Sequence, residues 1–99
     1  MKNNFDEEAE IKIQVTQMAK RLKEEREKAR ISQMDLSLMA GLSPNQVFYI
    51  ETEKRIPNVY TILKLCSALQ ISPTVLFATT EPERQQAREI VINLVSKYM

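Results

Sequence analysis

The sequence predicts an all-α fold. Three observations carry this expectation. Apolar residues recur at steps of three and four along most of the chain, residues that start and stop helices alternate at short intervals, and no useful length alternates β-branched with polar residues. The 99 residues suit one domain, and an apolar fraction of 43% is enough for one modest core. One Gly and four Pro leave little room for long irregular loops.

The elements follow in order. Over residues 11–29 the apolar positions Ile11, Val15, Met18, Ala19, Leu22 and Ala29 share one helical face, and the remainder is mostly Lys, Glu, Arg and Gln, good helix formers. Ser32 with Asp35 resembles a capping box and opens a second helix over Gln33–Met39, which Gly41 stops because glycine readily takes the left-handed conformation of a helix end. Ser43 offers a cap with Pro44 at the first helical position, so a third helix is expected over 44–51. Pro57 interrupts, Asn58 caps, and a fourth helix carries Val59, Ile62, Leu63, Leu65, Cys66 and Leu69. Ser72-Pro73 opens a short fifth helix through Phe77. Thr80 with Glu83 repeats the capping-box pattern ahead of the most amphipathic stretch, in which Ala87, Ile90, Val91, Leu94, Val95 and Tyr98 form one apolar stripe.

Composition excludes several functions. With one cysteine and no histidine, the chain has no internal disulfide, no thiolate or imidazole metal cluster and no His general base. Cys66, with Ile62, Leu65 and Leu69 at helical spacing, reads as a small core residue rather than a reactive thiol. No nucleophile–base pair is visible, and the single Gly41 cannot build a phosphate-cradling loop, so no enzymatic activity and no cofactor are expected. No apolar run approaches the roughly 20 residues that span a bilayer, and residues 1–10 lack a signal-peptide core. A soluble, cytoplasmic protein without a membrane partner is the expectation. Net charge is only +1, but it is unevenly spread. Lys2 and Lys12 against Asp6, Glu7, Glu8 and Glu10 leave residues 1–19 at net −2, and nine basic against six acidic side chains put residues 20–64 at +3. A mildly basic middle sits behind an acidic start. Lys20, Arg21, Lys23, Lys28 and Arg30 alternate with Glu24, Glu25 and Glu27 and read as a solvated, ion-paired face, with Arg21 the favoured phosphate contact.

Two short helices joined around Gly41-Leu42-Ser43, the second opening with the amides Asn45-Gln46, have the layout of a helix-turn-helix. In that layout the second helix enters the major groove. An amide suits its start because it can donate and accept together, as the N6/N7 edge of adenine requires. A capped helix start also offers backbone N–H groups to phosphate oxygens.

An ordered set of residues sharpens this. Ser32-Gln33, Leu36, Gly41-Leu42-Ser43, Val47, Ile50-Glu51, Lys54-Arg55, Pro57, Leu63, Ala68-Leu69 and Ile71-Ser72, spread over residues 21–77, resemble the phage-repressor-like (Xre/Cro type) helix-turn-helix proteins. The resemblance implies a compact five-helix, repressor-like bundle that binds an operator as a homodimer. By position it implies that Gln33 and Ser43 contact phosphate, that Asn45, Gln46 and Tyr49 face bases with Phe48 at the groove edge, and that Lys54 and Arg55 contact phosphate or the minor groove. It also implies a structural ion pair, Arg26 with Glu51, tying the first helix to the third. The chain departs from the family pattern in places. The family commonly has glycine where Arg30 and Glu53 stand, at expected helix ends, so either these residues sit at positive φ or the caps differ. Alanine is usual at Ser37, leucine at Glu25 and a polar residue at Phe48, which would either read a thymine methyl or meet protein instead. Glu53 beside Lys54-Arg55 weakens the local positive field.

The expected organisation is therefore an acidic arm or extension of the first helix over 1–16, a helix-turn-helix DNA-binding domain over 17–78, and a C-terminal amphipathic helix over 79–99. Five family helices close their own core, so the stripe of Ile90, Val91, Leu94, Val95 and Tyr98 is assigned to dimerisation. The functional expectation is a transcriptional regulator, a homodimer reading a pseudo-palindromic operator in double-stranded DNA through the major groove. The alternative is an antitoxin-type module that neutralises a partner protein and regulates its own promoter. The apolar terminal stripe, the acidic start and the Phe48-Tyr49 pair point that way.

Overall fold

A computed structural model describes residues 4–77, which form five helices: α1 (Asn4–Lys28), α2 (Gln33–Met39), α3 (Gln46–Glu51), α4 (Val59–Leu69) and α5 (Pro73–Phe77). The stripe expected at residues 87–98, with Ile90, Val91, Leu94, Val95 and Tyr98, lies outside the described residues. Helix α1 packs on α3 and α5, α2 on α3 and α4, and α4 on α5. The core draws on every helix: Met18, Leu22, Leu36, Ala40, Val47, Ile50, Leu65, Cys66 and Leu76 are buried together. Burial also pushes the Cys66 thiol above its ordinary value, so it stays protonated near neutrality. None of the described helices is long and apolar enough to cross a membrane.

Helix α1 starts earlier than the apolar pattern over 11–29 suggests. Asp6 and Glu7 occupy its first turn, where carboxylates suit the positive end of the helix dipole, so the acidic start from Asn4 onward is helix rather than free arm. Met18, Ala19, Leu22 and Arg26 are its inward row. The caps of α2 and α4 are those the sequence suggests: Ser32 Oγ accepts from Asp35 N–H at 3.0 Å, and Asn58 Oδ1 from Thr61 N–H at 2.8 Å. In α4 the apolar residues divide between two faces. Leu65 and Cys66 are buried and Ile62 and Leu69 pack on the core, whereas Val59, Tyr60 and Leu63 are exposed.

Four helices stop by one device. At each end one residue takes a left-handed conformation: Arg30 (φ 58), Gly41 (φ 72), Glu53 (φ 60) and Gln70 (φ 57). Its N–H reaches back three residues and the next N–H reaches back five, as in Ile31 N to Arg26 O (3.2 Å), Leu42 N to Ser37 O (2.8 Å), Lys54 N to Tyr49 O (2.9 Å) and Ile71 N to Cys66 O (3.0 Å). This is the Schellman motif, which satisfies carbonyls that the helix end would otherwise leave open. Only one of the four positions is glycine. A side chain there crowds the carbonyl beyond it and costs roughly 1 kcal/mol. The two helix ends where the family has glycine therefore do sit at positive φ, and Gln70 is a third such position without a local sequence signal.

Candidate nucleic-acid interface

Helix α3 is only six residues long and is set in place by a buried cluster. Arg26 on α1 donates from Nε to Glu51 Oε2 at 2.7 Å and from Nη2 to Glu51 Oε1 at 3.0 Å, a fork-on-fork pair. Its third bond, Nη1 to the Ile31 carbonyl at 2.8 Å, reaches the α1–α2 turn. The side chains are 11% and 2% exposed, so the pair is shielded from solvent, and the hydrogen bond to Glu51 pushes the Arg26 guanidinium above its ordinary value. Gln33, at the first position of α2, donates from Nε2 to the same Glu51 carboxylate at 2.9 Å. One of its two amide N–H bonds is thus committed to holding α2 on α3, and the other is left for an outside acceptor.

The start of α3 differs from the sequence expectation. The helix begins at Gln46 rather than Pro44. Pro44 and Asn45 form a turn closed by Gln46 N–H to the Ser43 carbonyl at 3.1 Å, and Asn45 also occupies the cap position, without a side-chain cap bond. The capping acceptor comes instead from α2. The Ser37 hydroxyl, fully buried, accepts from Val47 N–H at 3.0 Å. The consequence is chemical. Because Ser37 satisfies the helix start from inside, Ser43 and Asn45 are not needed there. The hydroxyl of Ser43 and the amides of Asn45 and Gln46 carry no hydrogen bond to other described residues, and Ser43 and Asn45 are exposed.

At the other end of α3 the turn carries the cations. The Tyr49 carbonyl accepts from the N–H groups of both Lys54 and Arg55, at 2.9 and 3.1 Å, and Thr52 Oγ1 donates to the Phe48 carbonyl at 2.7 Å. Lys54 Nζ then lies 5.4 Å from the centre of the Phe48 ring and the Arg55 guanidinium 5.2 Å from that of Tyr49. The two rings meet edge to face with centroids 5.7 Å apart. Each ring carries a cation of the turn, and Tyr49 is half-buried. The predicted site residues Ser43, Asn45, Gln46, Phe48, Tyr49, Lys54 and Arg55 therefore all lie on α3 or the turns at its two ends. Gln33 lies at the start of α2 and joins them through Glu51. Sequence reasoning missed Ser37 and Thr16, whose Oγ1 donates to Glu53 Oε1 at 2.7 Å. Their partners lie ten and 37 residues away, beyond any local pattern. On the polar side of α1, Arg21 meets Glu24 and Lys28 meets Glu25, both at 3.4 Å, as weak surface pairs. Among the described residues no group of three His, Cys, Asp or Glu side chains could hold a metal ion.

Comparison with known proteins agrees with this geometry. The helix-turn-helix family matches residues 22–76, more than half of the chain. Among solved structures, the chain is similar to the restriction-modification controller protein C.AhdI from Aeromonas hydrophila, with 35% identity and a TM-score of 0.61, over 64% of this chain and 96% of that one. No curated protein matches the chain. The chain belongs to the Xre-like helix-turn-helix family of DNA-binding regulators.

Proposed function

We propose that this regulator acts as a homodimer on a pseudo-palindromic operator, with α3 in the major groove. Asn45, Gln46 and Tyr49 face base edges and Phe48 lies at the groove edge, while Gln33 and Ser43 contact phosphates and Lys54 and Arg55 contact phosphate or the minor groove. The observation that carries this reading is the pair of amides at the start of α3. They have no partner within the described residues, and the helix beside them ends in two cations stacked on its own rings. Pairing of two copies is assigned to Ile90, Val91, Leu94, Val95 and Tyr98, which would place the recognition helices about 34 Å apart, one turn of DNA. The similarity to C.AhdI, a restriction-modification controller protein, supports transcriptional control of a gene set and favours a non-enzymatic chain.

Selection of bound duplexes from a random DNA pool tests the reading. An enriched pseudo-palindrome with half-sites one turn apart is the expected outcome, and no enrichment by a folded protein would refute it. With about three or four phosphates neutralised per subunit, log K should fall against log salt with a slope of about −5 to −7. Asn45→Ala should then weaken the selected site by ~1–3 kcal/mol and scrambled DNA little. Equal loss on both would reassign Asn45 to positioning.

A second reading has its own observation. Met39, Tyr60 and Leu63 are exposed and line a shallow groove of about 560 Å³ with Ala40, Lys64, Ser67 and Ala68. Exposed apolar side chains of this kind suit a protein contact, as an antitoxin-type module would need. A stable homodimer that covers these residues would count against a separate partner.

A further inference from the structure

The turn after α3 holds a carboxylate next to its two cations. Glu53 directly precedes Lys54 and Arg55, and it occupies the left-handed position where glycine is the easier residue. A carboxylate so placed should pair with its neighbours. It pairs with neither. Its Oε1 accepts from Thr16 Oγ1 at 2.7 Å, a bond that reaches across to α1, 37 residues earlier in the chain. Among the described residues Lys54 and Arg55 form no ion pair, and they rest on Phe48 and Tyr49.

We propose that Thr16 is a positioning residue for DNA binding: its hydroxyl holds the Glu53 carboxylate toward α1 and leaves the Lys54 and Arg55 charges available to phosphate. This rests on the assignment of that turn to phosphate contact. Thr16 itself need not touch DNA. Its effect is electrostatic, because a carboxylate released from Thr16 can swing toward the adjacent cations, neutralise one of them and repel the approaching backbone.

The test uses the full chain and two duplexes, the one it enriches from a random pool and a scrambled one. Thr16→Val removes the hydroxyl while keeping the branched shape, at an exposed position. It should leave thermal unfolding unchanged and weaken both duplexes by a similar factor, about 3–10-fold at low salt, with the deficit shrinking as salt rises. Thr16→Ser should bind like the original chain. The decisive variant is Thr16→Val with Glu53→Gly, which has no carboxylate left to hold and should recover the lost affinity. If Thr16→Val binds normally, or if Glu53→Gly fails to restore the double variant, the proposal is overturned. In the latter case the contact shapes the turn rather than its charge. Failure of the DNA reading is distinguishable, since the unaltered chain would then bind neither duplex and the proposal would fall with it.

Discussion

The stop after α2 and the stop after α3 have the same backbone hydrogen bonds and opposite uses. After α2 the left-handed residue is Gly41, and the residue beyond it, Leu42, packs on the core. After α3 the left-handed residue is Glu53, and the residue beyond it, Lys54, is exposed over Phe48. The stops after α1 and α4 side with α2, since Ile31 and Ile71 also pack inward. The motif's bonds are made by backbone groups, so the residue following the left-handed position is open to either purpose. Three times it closes the bundle, and once it presents a cation. The odd stop gives up its apolar seal, and the neighbouring Glu51 compensates by anchoring the end of α3 in the Arg26–Gln33 cluster.

Substitutions can break or sharpen this contrast. The largest effect should come from Glu51→Ala, which leaves the Arg26 guanidinium buried without its partner and should cost about 3–5 kcal/mol in urea unfolding. A loss under about 1 kcal/mol, the range of an exposed pair, would mean that the turn does not depend on the buried one. Ser37→Ala removes the acceptor of a buried N–H and should cost about 1–3 kcal/mol, although the change in volume is small. Next, Leu42→Ala should lower stability by about 1–2 kcal/mol. Lys54→Ala, at the equivalent position of the other stop, should stay within about 0.5 kcal/mol. In DNA titrations the order should reverse: Lys54→Ala removes one phosphate contact from each of two subunits and makes the salt slope shallower by about 2, and Leu42→Ala leaves the slope alone. Equal effects of the two on stability would erase the distinction. One substitution should be a gain. Arg30→Gly relieves a left-handed side chain and should raise stability by about 0.5–1 kcal/mol, read as a higher Tm.

What the sequence makes legible is local. Ser32, Gly41 and Asn58 announce caps and a stop through the short reach of their own chemistry, and the structure places helix ends at all three. Arg30 and Glu53 are legible as helix ends only beside a family that has glycine there. The start of α3 misleads because Ser43-Pro44 satisfies every local rule for a helix start, while the acceptor that caps the helix belongs to Ser37, across the turn. The stacking of Lys54 on Phe48 depends on the stop folding the chain back over α3, so six residues of separation conceal a contact. The division of α4 into a buried and an exposed apolar face is likewise hidden, because periodicity marks apolar positions without saying which of them find a neighbour.

The lone thiol of Cys66 has a practical consequence. It is 2% exposed in the middle of the core and held protonated by burial, so a thiol reagent can reach it as thiolate only when the domain opens. Its labelling rate therefore counts open molecules, with no engineered probe. An operator duplex that binds only the folded chain must slow that rate by the factor 1 + [L]/Kd, wherever on the surface it docks. The protein carries its own gauge of occupancy, sealed away from the surface whose occupancy it measures.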